Sequence, residues 1–62
     1  MKLACKDLDP NTTCDFEATG DYAEEVAIRM MNHMKNEHMD KVKEMQMSNS
    51  EIMSMLESKV HE

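Results

Sequence analysis

The chain has 62 residues, and its composition excludes a large hydrophobic core. Aromatic residues make up 3% of it, Trp is absent, and nine residues are Met, which fills space without fixing a unique packing. Thirteen acidic residues outnumber seven Lys and Arg, so the formal net charge is −6. A core of this size supplies only about 3–5 kcal/mol, so we expect a disulfide, a structural metal or a partner chain to add stability.

The charge also narrows the classes of partner. Binding to nucleic acid requires clustered cations, whereas the basic residues here are scattered among more numerous acids. The same reasoning disfavours an anionic membrane surface, and no apolar run approaches the roughly 18 residues that a membrane span needs. Residues 1–6 turn polar too early for a signal peptide. We therefore expect a cytoplasmic protein, whose reducing surroundings favour a metal over a disulfide.

Residues 1–20 predict a β-hairpin. Residues 3–5 and 14–19 are short strand candidates, and the second alternates apolar and polar side chains. Residues 7–13, between them, include Asp9-Pro10, a pair that favours a type I turn. Because an isolated two-stranded hairpin is marginal in water, we expect this one to pack against another element.

Residues 21–39 predict an amphipathic helix. Asp21 is a candidate N-cap, and Glu24 three residues later is its capping-box partner. Apolar side chains fall within one arc about 100° wide, which is the expected core face. The residues of this face are Ala23, Val26, Ala27, Met30 and Met34.

The next segment, residues 40–47, is a linker whose structure the sequence leaves open. It contains neither Gly nor Pro. The first helix therefore either continues through it or ends after His38 or Met39.

A short amphipathic helix is predicted at the C-terminal end. Ser48 with Glu51, or alternatively Ser50, supplies its N-cap. His61 follows the helix, and we expect a solvated surface residue there rather than a metal ligand, because chain ends fray. The apolar stripe packs either on the first helix or against a second copy of the chain, and it comprises Ile52, Met55, Leu56 and Val60.

Two Cys and two His follow the order of a zinc site: Cys5, Cys14, His33 and His38. Structural zinc takes four such ligands in a tetrahedron, commonly two from a hairpin and two from a helix. The four residues between His33 and His38 lie within the usual spacing of three to five. A helical wheel places both imidazoles on the hairpin side but about 140° apart, so we expect the helix to loosen around residues 37–38.

The sequence also allows other interpretations of the two cysteines. Eight residues separate Cys5 from Cys14, more than in a zinc finger that reads DNA, so the two cysteines cannot form the same tight knuckle. Their sulfurs can still meet if the two residues are paired positions of the two strands. A disulfide between them, or two apolar core cysteines with a chance His spacing, also fits the sequence. Zinc suits the ligand set best, with ferrous iron or cobalt as substitutes in vitro.

Several short stretches carry a family resemblance: Cys5-Lys6-Asp7-Leu8, Cys14-Asp15-Phe16, Thr19-Gly20-Asp21, Glu24-Glu25-Val26 and the His33 to His38 spacing. Nearly the whole chain resembles the family of small predicted metal-binding proteins catalogued as domain of unknown function 1059. The resemblance implies a zinc-finger-like unit in which the two Cys and two His are the ligands, and it implies no activity. Asp9 departs from the family pattern, in which we expect Gly.

Together these features predict one small zinc-stabilised α+β domain over residues 1–62. A zinc-finger-like β-hairpin plus helix (ββα) occupies residues 1–39, and residues 40–62 form the linker and short C-terminal helix. The expected cofactor is one structural Zn²⁺, and we expect no catalysis because two thiolates and two imidazoles fill its coordination sphere and neutralise its charge.

The surplus Met residues and the acidic surface predict a protein–protein interaction or regulatory module. The sequence does not identify the protein partner, nor does it decide between monomer and homodimer. The alternative function is a metal- or redox-responsive switch whose folding depends on zinc occupancy.

Overall fold

The computed structural model describes residues 1–62 as a small α+β fold with one antiparallel strand pair. In chain order the elements are β1 (Lys2–Ala4), α1 (Cys5–Leu8), β2 (Glu17–Thr19), α2 (Ala23–Glu37), α3 (Met39–Met45) and α4 (Asn49–Lys59). Leu3 pairs with Ala18 in the strand register, and both side chains are buried. The predicted fold class is confirmed at this level, as an α+β fold with an antiparallel strand pair.

The hairpin differs from the prediction because a helical turn interrupts it. Cys5, expected in the first strand, begins α1, and Cys14 lies in the irregular segment before β2. The two cysteines are therefore not paired strand positions, and Ala4 pairs with Glu17 instead. The Asp7 carboxylate accepts a hydrogen bond from the Ala4 N–H at 3.0 Å, which stabilises the start of the turn. The predicted ββα order is wrong in this detail.

The helix α2 supplies most of the core. Val26, Ala27 and Met30 are fully buried, as the predicted core face requires. The predicted capping box at Asp21 is wrong: Tyr22 is the N-cap, its backbone is extended, and its side chain makes no capping hydrogen bond. The ten buried residues form a single cluster: Leu3, Cys5, Ala18, Val26, Ala27, Met30, Met31, Met34, Ile52 and Leu56.

A break after α2 separates it from α3. The helix ends at Glu37, and His38 has a non-helical backbone with φ −132° and ψ 40°. The His38 N–H donates to the Met34 carbonyl at 2.7 Å, so the last turn of α2 is still satisfied. Of the two alternatives for this region, the structure has the break, and α3 buries none of its residues.

The helix α4 folds back onto α2. The predicted capping box at its start is confirmed: Ser48 and Glu51 each accept a hydrogen bond from the other's backbone N–H, both at 3.2 Å. Gln46 ends α3 in the left-handed conformation, at φ 53°, and this reverses the chain. Ile52 and Leu56 are fully buried in the shared cluster, so the stripe packs on the first helix.

His61 is exposed, as the sequence predicts, but it is held in place rather than frayed. Its backbone exchanges two hydrogen bonds with Lys2, of 2.7 and 3.0 Å. Its imidazole, half exposed, lies 2.8 Å from an Asp7 carboxylate oxygen. These contacts fasten the C-terminal end to β1. None of the helices is both long and apolar enough to cross a membrane.

Candidate metal centre

The four predicted ligands meet where α1, the segment before β2 and the end of α2 converge. Cys5 is the first residue of α1, and Cys14 precedes β2 by three residues. His33 lies in the last turns of α2, and His38 is the residue at which that helix ends. One ligand atom from each side chain lies within 4.8 Å of the other three. The structure therefore brings all four predicted residues together.

The separations between the ligand atoms match the edges of a tetrahedral zinc site. Cys14 Sγ is 3.3 Å from His33 Nε2, and Cys5 Sγ is 3.6 Å from His38 Nε2. The two Nε2 atoms are 3.2 Å apart. With Zn–S of about 2.3 Å and Zn–N of about 2.0–2.1 Å, an ideal tetrahedron has S–N edges of about 3.5 Å and an N–N edge of about 3.3 Å. These three separations thus fit a tetrahedral site for one metal ion.

Phe16 holds the hairpin half of the site against α2. Its ring stacks on the His33 imidazole, with centroids 3.9 Å apart and planes inclined by 7°. Its carbonyl accepts a 3.0 Å hydrogen bond from the Cys5 N–H. Sequence reasoning placed Phe16 in a strand and missed this role. A signal was present, because Phe16 is the chain's only Phe and lies two residues after Cys14.

The break at the end of α2 turns His38 toward His33. On a continuous helix the two imidazoles would point about 140° apart. The actual rings are 4.9 Å apart at an angle of 72°, and both present Nε2 to the site. The His38 carbonyl accepts from the Lys41 N–H at 3.0 Å, which starts α3 immediately after the break. The expected loosening around residues 37–38 is confirmed.

A comparison with known protein families matches the chain to one of them. The model of a family described as Protein of unknown function (DUF1059) matches residues 1–62, the whole chain. The chain belongs to this family. The resemblance seen in the sequence is thereby confirmed. No curated protein and no solved structure matches the chain. Since the family description assigns no function, the function of this DUF1059 member must be inferred from its own residues.

Protonation in the DUF1059 site follows from burial. Burial, and to a smaller extent the neighbouring Cys14, raise the pKa of the Cys5 thiol from 9.0 to about 11, while Lys41 opposes the shift. Burial also lowers the pKa of His33, and the charge of His38 adds to this effect. Near neutral pH the metal-free site therefore holds Cys5 as a thiol and His33 as a neutral imidazole. His33 is then ready to coordinate, whereas Cys5 must lose a proton.

An ion pair flanks the centre of this DUF1059 member on one side. The Lys41 ammonium of α3 donates to the Asp9 carboxylate, which lowers the pKa of Asp9 and raises that of Lys41. Asp9 has an extended backbone, with φ −142°, so this position does not require the Gly of the family pattern. A cleft of about 340 Å³ opens beside this pair and is also lined by Cys5 and His38.

Proposed function

We propose that the protein binds one Zn²⁺ through Cys5, Cys14, His33 and His38. The observation that carries this proposal is the set of ligand separations, 3.2, 3.3 and 3.6 Å, which are close to three of the six edges expected of a zinc tetrahedron. Two sulfurs and two imidazoles are also a ligand set that suits zinc, whereas magnesium, calcium and manganese prefer oxygen ligands.

The ion's role in this proposal is structural. Two thiolates and two imidazoles complete a four-coordinate site and offset the ion's charge, so no position is left for a reacting water. The site joins α1, the segment before β2 and α2. A core of ten buried residues gives little stability by itself, so a chain of this size needs an additional cross-link, and in this proposal zinc supplies it.

The biological role we propose is a protein–protein interaction or regulatory module that works in the cytoplasm. Supporting it are the net charge of −6, which zinc with two thiolates leaves unchanged, and the helix α3, which buries no residue. Apolar side chains also remain exposed at the start of α2, among them Tyr22 at 72% and Ile28 at 46%. These two side chains line one shallow cleft, and adjacent exposed apolar side chains are a feature of surfaces that dock on another protein.

Native mass spectrometry tests the metal centre. We expect one zinc ion per chain, seen as a mass increase of zinc less two protons, and loss of that ion in the Cys5→Ser variant. A different metal, or metal bound equally well by Cys5→Ser, would contradict the ligand assignment.

The interaction role is tested by affinity capture from cell extract, with Cys5→Ser as the unfolded control. Capture of the same proteins by both forms would contradict a surface that depends on the zinc-built fold.

A further inference from the structure

The two sulfurs of the site are close together and differ in exposure. Cys5 Sγ and Cys14 Sγ lie within 4.8 Å of each other. Cys5 is buried, with 5% of its surface exposed, whereas Cys14 is partly exposed. A disulfide requires an S–S distance of about 2.05 Å, so closure needs an approach of at most about 3 Å. The geometry therefore offers one accessible thiol with a second thiol beside it.

The backbone around Cys14 allows that approach. Cys14 lies outside every helix and strand, and its N–H donates to the Thr12 side-chain oxygen at 3.2 Å. Cys5, in contrast, is fixed at the start of α1 by its hydrogen bond to Phe16. A shift of Cys14 toward Cys5 thus breaks no helix or strand hydrogen bond.

We propose that Cys5 and Cys14 form a redox site that a hydroperoxide converts to a disulfide, which removes both sulfur ligands and releases the zinc. This inference rests on the proposed metal centre. The Cys14 sulfur attacks the peroxide: an S–O bond forms, the O–O bond breaks, and the leaving oxygen departs as water or alcohol. The Cys5 sulfur then attacks the Cys14 sulfur, the S–O bond breaks, and the oxygen departs as water. The sulfurs lose two electrons, the peroxide gains them, and the solvent supplies two protons.

The structural result is release of the segment after α2. The helix α3 fully buries no residue, although Val42 and Met45 pack partly against the core, and it is also held by the ion pair from Lys41 to Asp9 and by its link to His38. With zinc gone, His38 loses its connection to the two sulfurs. The disulfide meanwhile keeps α1 joined to the segment before β2. Oxidation therefore loosens residues 38–47, while the disulfide keeps Cys5 and Cys14 joined.

The test begins with zinc-loaded protein, confirmed by native mass spectrometry, and adds hydrogen peroxide. We expect one zinc released per chain, read with a chromophoric chelator. The released protein should have a mass two hydrogens below that of the reduced zinc-free chain, apart from any oxygen added to Met. Trypsin cuts after Lys6, so residues 3–6 and 7–29 should appear as one disulfide-linked pair. Reductant with zinc should restore the starting mass, and hydrogen exchange should rise in residues 38–47 of the oxidised form.

A matched control keeps four ligands but removes one sulfur. The Cys14→His variant, checked for bound zinc, should neither lose mass nor release zinc at the same peroxide dose. Zinc retained by the wild-type protein when its Met residues are already oxidised would overturn the inference, as would sulfinic acid or a disulfide between chains. If the wild-type chain carries no zinc at the outset, the proposed metal centre fails. Peptide mapping of the peroxide-treated chain then still decides whether the two cysteines pair.

Discussion

Removing zinc should unfold the hairpin end of the molecule first. Of the ten core residues, residues 1–22 contribute three, Leu3, Cys5 and Ala18. Burying a Leu side chain stabilises by about 1.5–3 kcal/mol. Ordering the backbone costs about 1–2 kcal/mol per residue, and an isolated strand pair is marginal. The apparent binding free energy of structural zinc is about 10–16 kcal/mol. The stability lost with the ion should therefore exceed the stability that all other contacts give this segment.

The assay is amide hydrogen exchange with and without a chelator. Protection across residues 1–22 should vanish when zinc is removed, whereas part of the helicity of α2 and α4 remains, because those helices carry the other seven core residues. Leu56→Ala in zinc-loaded protein is the reciprocal test: it should cost about 2–5 kcal/mol yet leave the strand pair protected. Met39→Ala, at a 42% exposed position, is the control. Unchanged protection of residues 1–22 in protein proven to be zinc-free would refute the reasoning.

Three further predictions concern the site and the helix caps. Phe16→Leu should weaken zinc binding two- to tenfold, because the stack on His33 is worth about 0.5–1.5 kcal/mol; competition with a chromophoric chelator measures this, and unchanged affinity would contradict it. Zinc affinity should rise at least tenfold per pH unit between pH 6 and 8, because the pKa of Cys5 is raised to about 11 and its proton must leave when zinc binds. Calorimetric titrations at several pH values measure this, and a zinc affinity that does not change with pH would contradict it. Ser48→Ala should cost about 1 kcal/mol in thermal unfolding, whereas Ser50→Ala should cost less; equal effects would argue against the capping box.

The grouping of the four candidate ligands could be predicted from the sequence. The order Cys, Cys, His, His, with four residues between the two His, is typical of residues that converge on one metal site. Even the break at His38 was expected, since a continuous helix points the two imidazoles too far apart. The Ser48 cap was likewise predictable, because a capping box is a local pattern.

The hairpin could not be predicted in the same way because its form depends on one local side-chain hydrogen bond and on tertiary contacts. Cys5 has a strand-like neighbourhood, yet it starts a helical turn because Asp7 reaches back to the Ala4 N–H and Phe16 binds the Cys5 N–H. The stack of Phe16 on His33 is also a contact between distant segments. Neither leaves a periodic pattern in the sequence.

Both edges of the small sheet are closed at the same rung. Lys2 and Thr19 are opposite each other, and His61 pairs with the outer side of Lys2. On the far side, the Arg29 guanidinium donates to the Thr19 carbonyl. An open strand edge is a template for pairing with another chain, and here the Lys2 N–H, the Lys2 carbonyl and the Thr19 carbonyl already have partners. Another strand that added to either edge would therefore have to displace the His61 backbone or the Arg29 side chain at this rung.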